Sequence, residues 1–286
     1  MIAAGRATPF PRHGPAAAMV RTMRANNLRT VWGKGGSVVN GWLGIPNSFS
    51  AEVMATLGWD SLVIDLQHGL IDYQTAVTMM QAISTTSVTP LVRVPWNDPA
   101  IVMKCLDAGA YGVICPMINN RAEAERFVGA CRYPPKGYRS SGPIRGLIYG
   151  GADYQIKSDE TIVALAMVET AEGVANLDAI CSTPNLDGVY IGPNDLSLSL
   201  GCKGGLDQTE PKVVAVIDRI LAAARKHGVK AGIHTGSVDY AKAMIAKGFD
   251  LVTVLSDNRI LAQFGRQVVA AMREAPQPAA GAAAVY

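Results

Sequence analysis

Several residues of this 286-residue chain that can do chemistry stand where an apolar run has just ended. Asp65 and His68 close the stretch Ile64-Asp65-Leu66-Gln67-His68-Gly69, and Arg93 ends Leu91-Val92-Arg93. Glu169 follows Met167-Val168, and Asp195 lies in Gly192-Pro193-Asn194-Asp195 after Val189-Tyr190-Ile191. Glu169 and Asp195 are hard oxygen donors. Together they can grip one divalent cation (Mg²⁺, Mn²⁺ or Co²⁺) and leave the other coordination positions to water and substrate. The planar fork of Arg93 suits an enolate or alkoxide oxygen. His68 follows Asp65 by three residues, close enough for the acid to orient its ring as a general base. Gly192 permits close approach of the backbone, and the turn Gly192, Pro193, Asn194 and Asp195, through the N–H groups of its non-proline residues, is read as the holder of a substrate carboxylate. Each side chain also has a blander reading as half of an ion pair or part of a wall, and for His234 the lining role is preferred. His13 and His227 carry no signal. No lysine falls inside a strand-like run or at its C-terminal end, as a Schiff-base aldolase would require, so enolate chemistry supported by a metal is expected.

These residues need a scaffold that brings strand ends together. Strands are expected near 38–45, 61–65, 90–94, 112–115, 162–168, 186–191, 230–234 and 250–255, mostly as continuous apolar runs of the kind buried on both faces. Amphipathic helical stretches separate them at 73–84, 98–108, 121–131, 173–181 and 211–227. Gly58, Gly109, Gly228 and Gly248 stand where helices must stop before the next strand. Eight βα units in about 250 residues fit a single-domain (β/α)₈ TIM barrel, whose active site lies at the C-terminal strand ends. An open doubly wound sheet is the alternative, but Gly33-Lys34-Gly35-Gly36 precedes the first strand instead of following it. Residues 133–160 hold no strand and are read as a lid or an interface loop. The barrel is expected over residues 26–272, between flexible tails at 1–25 and 273–286, with Met19 as an alternative start.

Composition narrows the function classes. The net charge of +3 arises at the N-terminus: six of the 26 basic residues precede Glu52, leaving 20 against all 23 acids. That body offers no nucleic-acid surface. The five scattered cysteines lack C-x-x-C spacing and read as buried thiols of a reducing, cytoplasmic compartment. No apolar run is long enough to span a membrane. The N-terminal segment, broken by Pro9, Pro11 and Pro15, has no signal-peptide core and little of a transit peptide.

The motifs in combination resemble the HpcH/HpaI aldolase family. They are Asp65-x-x-His68-Gly69, Val92-Arg93-Val94-Pro95-Trp96-Asn97-Asp98, Ala108-Gly109-Ala110-x-Gly112-Val113-x-x-Pro116, Arg132-Tyr133-Pro134-Pro135-x-Gly137-x-Arg139, Glu169-Thr170 and Gly192 to Ser197, within about Asn26–Ala270. The resemblance implies a metal-dependent aldolase that cleaves a 4-hydroxy-2-oxo acid, such as 4-hydroxy-2-oxoheptanedioate or a 2-keto-3-deoxy sugar acid, to pyruvate and an aldehyde. Glu169 and Asp195 would match the metal ligands, His68 the base and Arg93 the residue that steadies the enolate. The resemblance further implies a homo-oligomer, often a hexamer, built partly by exchange of the last helix, with Asp107 reaching a neighbouring subunit's site. Met167 departs from relatives that carry glutamine there. Oxaloacetate decarboxylation with carbon–carbon bond formation, as in macrophomate synthase, is the alternative activity, and a non-catalytic keto-acid-binding barrel is the alternative of another class. Loops 133–160 and 233–240 are expected to choose the acceptor aldehyde.

Overall fold

All eight apolar runs become parallel strands, and hydrogen bonding closes them in chain order into a barrel. A computed structural model describes residues 22–273; of the tails expected at 1–25 and 273–286, residues 1–21 and 274–286 lie outside the described residues. The strands are β1 (Val38–Leu43), β2 (Ser61–Asp65), β3 (Thr89–Arg93), β4 (Gly112–Cys115), β5 (Val163–Val168), β6 (Gly188–Ile191), β7 (Lys230–Thr235) and β8 (Leu251–Val254). The helices are α1 (Asn27–Gly33), α2 (Ser48–Ala55), α3 (Tyr73–Ile83), α4 (Pro99–Asp107), α5 (Arg121–Cys131), α6 (Ile144–Gly150), α7 (Tyr154–Thr161), α8 (Ala171–Ala175), α9 (Leu177–Cys181), α10 (Pro193–Ser199), α11 (Pro211–His227), α12 (Val238–Lys247) and α13 (Asp257–Arg273).

The strands read as continuous apolar runs because both faces are covered. Outward residues such as Leu62, Ile64, Val92 and Val113 meet the helices in one cluster. Inward residues Val63, Leu91, Ile114, Val163, Leu165 and Tyr190 form a second, joined by Leu28 and Trp32 of α1. Polar side chains also enter the interior. Ser61 donates to Asn40, Asn40 donates to Thr253 at 2.8 Å, and the Tyr190 hydroxyl donates to Thr253 at 2.7 Å. Each such group would be costly to bury alone, and the chain of bonds satisfies them together.

The expected helix-ending glycines adopt left-handed geometry, with φ of +69° at Gly228 and +97° at Gly248. The single helix expected over 173–181 is instead two short ones meeting at Asn176, whose side chain donates to the Asn119 carbonyl at 2.9 Å. Segment 133–160 contains no strand, as expected, but folds as α6 and most of α7. Arg145 of α6 donates to the carbonyls of Ala108 and Met80, so this segment packs beside the C-terminal ends of α3 and α4. Arg24, expected in the N-terminal tail, is held there too by its backbone bond to Gly150 and by stacking over Tyr149. The four cysteines Cys105, Cys115, Cys131 and Cys181 are buried free thiols, and Cys202 is half-buried. No described helix is long and apolar enough to cross a membrane.

The last helix behaves differently from the others. Only Asp257, in its first turn, is buried, whereas Leu261, Phe264, Val268 and Met272 recur at helical spacing and lie exposed. From Leu261 to Arg273 every residue of this helix is exposed. Exposed Phe49 and Val53 on α2 and Val238 at the start of α12 are further apolar surface on helices that flank β1 and β8 in the ring.

Candidate active site

The period of two along each strand decides which residues enter the mouth. Val63, Leu91 and Met167 point into the barrel, so Asp65, Arg93 and Glu169, two residues on, point the same way at the C-terminal rim. Gly232 similarly precedes His234. Asp65, Arg93 and His234 line an open cavity of about 910 Å³, together with His68, Met167 and the segment 192–195, whereas Glu169 is buried beneath Gly192 and is not itself part of that wall. No lysine lines it, in keeping with the exclusion of Schiff-base chemistry.

Asp65 and Arg93 are register partners on β2 and β3. The guanidinium binds the carboxylate as a fork, Nε to Oδ1 at 2.8 Å and Nη2 to Oδ2 at 2.5 Å. Oδ1 also accepts the backbone N–H groups of Gln67 and His68, and Oδ2 accepts the indole N–H of Trp42 at 3.1 Å. Burial alone would raise the carboxyl's pKa, but Arg93, Trp42 and Gln67 together outweigh it and hold it below the usual carboxylate range. Asp65 is therefore an ionised anchor. It was expected to orient the His68 ring; it orients the His68 backbone instead, because Arg93, two amides and Trp42 take up its oxygens. Trp42, which sequence reasoning passed over, also stacks its ring against Arg93 at 4.8 Å and meets His234 edge-on at 4.8 Å. An indole on an inward strand position needs a partner for its N–H, and that was the signal available.

Glu169 is 2% exposed, and among the described residues it has no ion-pair partner. Its Oε1 accepts the Met117 amide at 3.0 Å. Burial pushes its carboxyl up to about 7; the Met117 N–H opposes this, the Asp195 charge adds to it, and Arg93 opposes it. A buried acid beside a second acid, with no base to neutralise it, fits a cation. Among the described residues no group of three or more His, Cys, Asp or Glu side chains could hold a metal. Two carboxylates would then leave most of a hard ion's coordination open to water and substrate. Asp195 lies in the first turn of α10, because Pro193 starts a helix where a turn was expected. Gly192 caps that helix from below the carboxylate. A Cβ there would lie 2.5 Å from Met167 Cε and collide with Glu169 Oε2.

His68 is exposed and lines the cavity, and its ring makes no hydrogen bond among the described residues. Asp107 does not reach this cavity. It ends α4 and pairs with the buried Arg139 at 2.7 Å. No residue of segment 133–160 belongs to the wall of its own chain's cavity. Of loop 233–240, His234 and Gly236 do line it, and the wall also includes residues not expected there, among them Gly44 to Pro46, Gly205 to Asp207, Ser256, Asn258 and Arg259. His234 binds the Tyr190 hydroxyl at 3.3 Å. Burial, then the charges of Arg93 and Arg259, push its imidazole down to about 3, against a small opposing effect of Asp65.

Residues 41–263 match the family model described as HpcH/HpaI aldolase/citrate lyase. A hydroxypyruvate/pyruvate aldolase of Rhizorhabdus wittichii is 44% identical over 248 residues, covering 87% of this chain and 99% of that protein. A 4-hydroxy-2-oxo-heptane-1,7-dioate aldolase of Salmonella dublin is 37% identical over 86% of this chain and 93% of its own. Among solved structures, an HpcH/HpaI aldolase/citrate lyase family protein of Burkholderia cenocepacia superimposes with a TM-score of 0.80 at 31% identity, covering 87% of this chain and 98% of that one.

Proposed function

This chain belongs to the HpcH/HpaI aldolase/citrate lyase family, and from that premise we propose that it cleaves 4-hydroxy-2-oxo acids reversibly to pyruvate and an aldehyde. It is a carbon–carbon lyase. The observation that carries the reading is the buried, unpaired Glu169 beside Asp195, facing the forked Arg93 at a mouth without lysine.

Glu169 and Asp195 would hold a divalent cation, Mg²⁺, Mn²⁺ or Co²⁺, which when bound supplies Lewis-acid stabilisation of negative charge on a keto oxygen. The chain's own residues do the rest. Backbone N–H groups of Gly192, Asn194 and Asp195 hold the substrate carboxylate, and Gly192 leaves room for Glu169 beside it. Asp65 locks Arg93 through Nε and Nη2, so that the remaining Nη1 hydrogens are presented at fixed geometry to the oxygen that becomes negative. His68, exposed at the rim with an uncommitted ring, takes the proton from the methyl carbon of pyruvate and gives it to the alkoxide oxygen formed from the aldehyde, and in cleavage the same proton travels back from the 4-hydroxyl to the methyl carbon.

The assembly reading rests on α13. Its exposed apolar stripe suits exchange between copies in a homo-oligomer, a hexamer in our proposal, and Asp107, which lies outside its own cavity, would then serve a neighbouring site.

Exchange of pyruvate methyl protons in D₂O, followed by NMR, tests the function before any aldehyde is chosen. Exchange should require a divalent cation, stop with EDTA and return with the metal. Replacing His68 by Ala should slow it by about 10²–10⁴-fold. A panel of aldehydes then reports product formation, and loss of CO₂ from oxaloacetate without aldol products would favour the decarboxylase reading. Full exchange in a metal-free preparation would sink the mechanism.

A further inference from the structure

Among the described residues the two acids assigned to the cation are held very differently. Asp195 is exposed in the cavity, and its carboxylate accepts no hydrogen bond there. Glu169 has one oxygen fixed by the backbone. Whatever geometry the pair offers a cation is therefore set from the Glu169 side, by the turn that follows β4.

That turn is strained. Met117 has φ +56°, in the left-handed region that a bulky side chain avoids. Such a conformation persists only where its surroundings impose it. Its effect is to aim two successive N–H groups at the end of β5. The Met117 N–H reaches Glu169 Oε1 at 3.0 Å, and the Ile118 N–H reaches the Met167 carbonyl at 3.1 Å. With Oε1 taken, Oε2, which lies against Gly192, is the oxygen left for a cation.

Asn119 is the clamp on this turn. Its Nδ2 donates to the Met117 carbonyl at 3.1 Å, and its Oδ1 accepts from the hydroxyl of Thr170, the residue next to Glu169. The Asn119 backbone is anchored as well, its N–H donating to Glu123 Oε2 at 2.7 Å and its carbonyl accepting from Asn176 at 2.9 Å. Thr170 is a fixed post, because its hydroxyl oxygen caps α8 by accepting the Gly173 N–H at 3.0 Å. A cap of the turn alone would need only the contact to Met117. The bond to Thr170 ties the strained residue to the strand end that carries Glu169.

We infer that Asn119 is a positioning residue for the cation site: by joining the Met117 carbonyl to the Thr170 hydroxyl, it keeps the Met117 N–H on Glu169 Oε1 and presents Oε2 in one orientation. The inference rests on the reading of Glu169 and Asp195 as the cation ligands. Asn119 itself stands outside the cavity wall and acts only through Glu169.

The test measures Mn²⁺ binding to the full-length protein by calorimetry, and Tm of the metal-free protein, for wild type, Glu169→Gln, Asn119→Ala, Thr170→Val and Thr170→Ser. Asn119→Ala should weaken Mn²⁺ binding about tenfold or more, within the roughly 10–100-fold range commanded by groups that orient a metal ligand. Thr170→Val deletes the hydroxyl, leaves Asn119 in place and should weaken binding in the same direction. Thr170→Ser keeps the hydroxyl and should bind Mn²⁺ as wild type does. A purely structural bridge would lower Tm in Asn119→Ala and Thr170→Val and leave the Mn²⁺ affinity of the folded protein at the wild-type value; that result overturns the inference. So does a Thr170→Ser protein that binds as weakly as Thr170→Val. Should Asn119→Ala fail to fold, the two Thr170 variants decide by the same comparison. Absence of Mn²⁺ binding in wild type, or full binding in Glu169→Gln, removes the cation reading and this inference with it. Loss of binding in Glu169→Gln beside native affinity in Asn119→Ala removes the inference alone.

Discussion

Replacing Gly192 with Ala removes no functional group and should still disable the enzyme. The backbone there has φ −96° and ψ 91°, which any residue tolerates, so strain is not the cause. The added methyl would meet Met167 Cε at 2.5 Å and overlap Glu169 Oε2. Comfortable non-bonded contact begins near 3.5 Å, so each tip must retreat by about 1 Å. Both are ends of flexible side chains, and the cost to the fold is small. Losing the 3.0 Å bond from the Met117 amide to Glu169 would cost about 1 kcal/mol, or about 2–4 °C in Tm for a chain of this size. The cost to chemistry is larger, because the atom displaced is a proposed cation ligand, and a misplacement of about 1 Å can cost on the order of 10²-fold in rate. The pyruvate exchange rate at saturating Mn²⁺, the Mn²⁺ affinity by calorimetry and Tm should be measured on one preparation. We expect a rate about 10²-fold lower and a weaker cation site in a protein that melts nearly as wild type does. Native exchange and native Mn²⁺ affinity in Gly192→Ala would refute the placement of Glu169 as a ligand.

Arg93→Lys should be nearly as damaging as Arg93→Ala, by about 10²–10³-fold in kcat/KM, because an ammonium cannot hold Asp65 and an oxyanion at once in a fork; near-native kcat/KM with lysine would contradict this. Asp65→Ala leaves a buried guanidinium unpaired and should lower stability in urea by about 3–5 kcal/mol. Asp65 also sets an acid limit. Its folded pKa lies below the unfolded value, so its contribution is complete above the ordinary carboxylate range and is lost as pH falls through the lowered value; Asp65→Asn should melt without that component between about pH 4 and lower pH. For His234 the imidazole pKa is depressed to about 3, while the unfolded ring takes up its proton near 6.5, so its contribution falls as pH drops below about 6.5. Its ring resonances should stay those of the neutral form from pH 8 to pH 5, and a titration midpoint near 6 would show that the cavity does not hold it neutral.

Much of the barrel could be read from the sequence because parallel strands covered on both faces must be apolar throughout, and Val163–Val168 or Leu62–Ile64 admit little else. Glu169 stood out because a carboxylate straight after such a run has no place in a core, and Asp195 because it follows the next run within a Gly-Pro turn; their role as cation ligands is our proposal. Partnership was not. Asp65 and His68 are near in sequence, yet the partner that matters is Arg93, 28 residues away, set beside Asp65 by the register of β2 on β3. That register is a property of the closed ring and leaves no local trace. Length alone left 133–160 open between a lid and an interface loop; Arg145 and Arg24 bind it beside the ends of α3 and α4, away from its own chain's cavity. Arg259 escaped notice because it lies past the last strand, on a turn whose position depends on Asp257 reaching back to β1.

The inward period of two divides the molecule into parts that can and cannot change length. One residue inserted within β2 or β5 would turn Asp65 or Glu169 outward and every following inward side chain with it, and the ring of eight paired strands has no free edge to absorb the slip. The connection around Gly205–Asp207, between α10 and α11, faces the same cavity without belonging to any strand or helix. Doubling such a loop costs only about 0.6 kcal/mol in closure entropy. Descendants of this chain are therefore free to lengthen, shorten and recharge the wall that meets the aldehyde, while the residues assigned to the keto acid stay bound to the geometry of the ring.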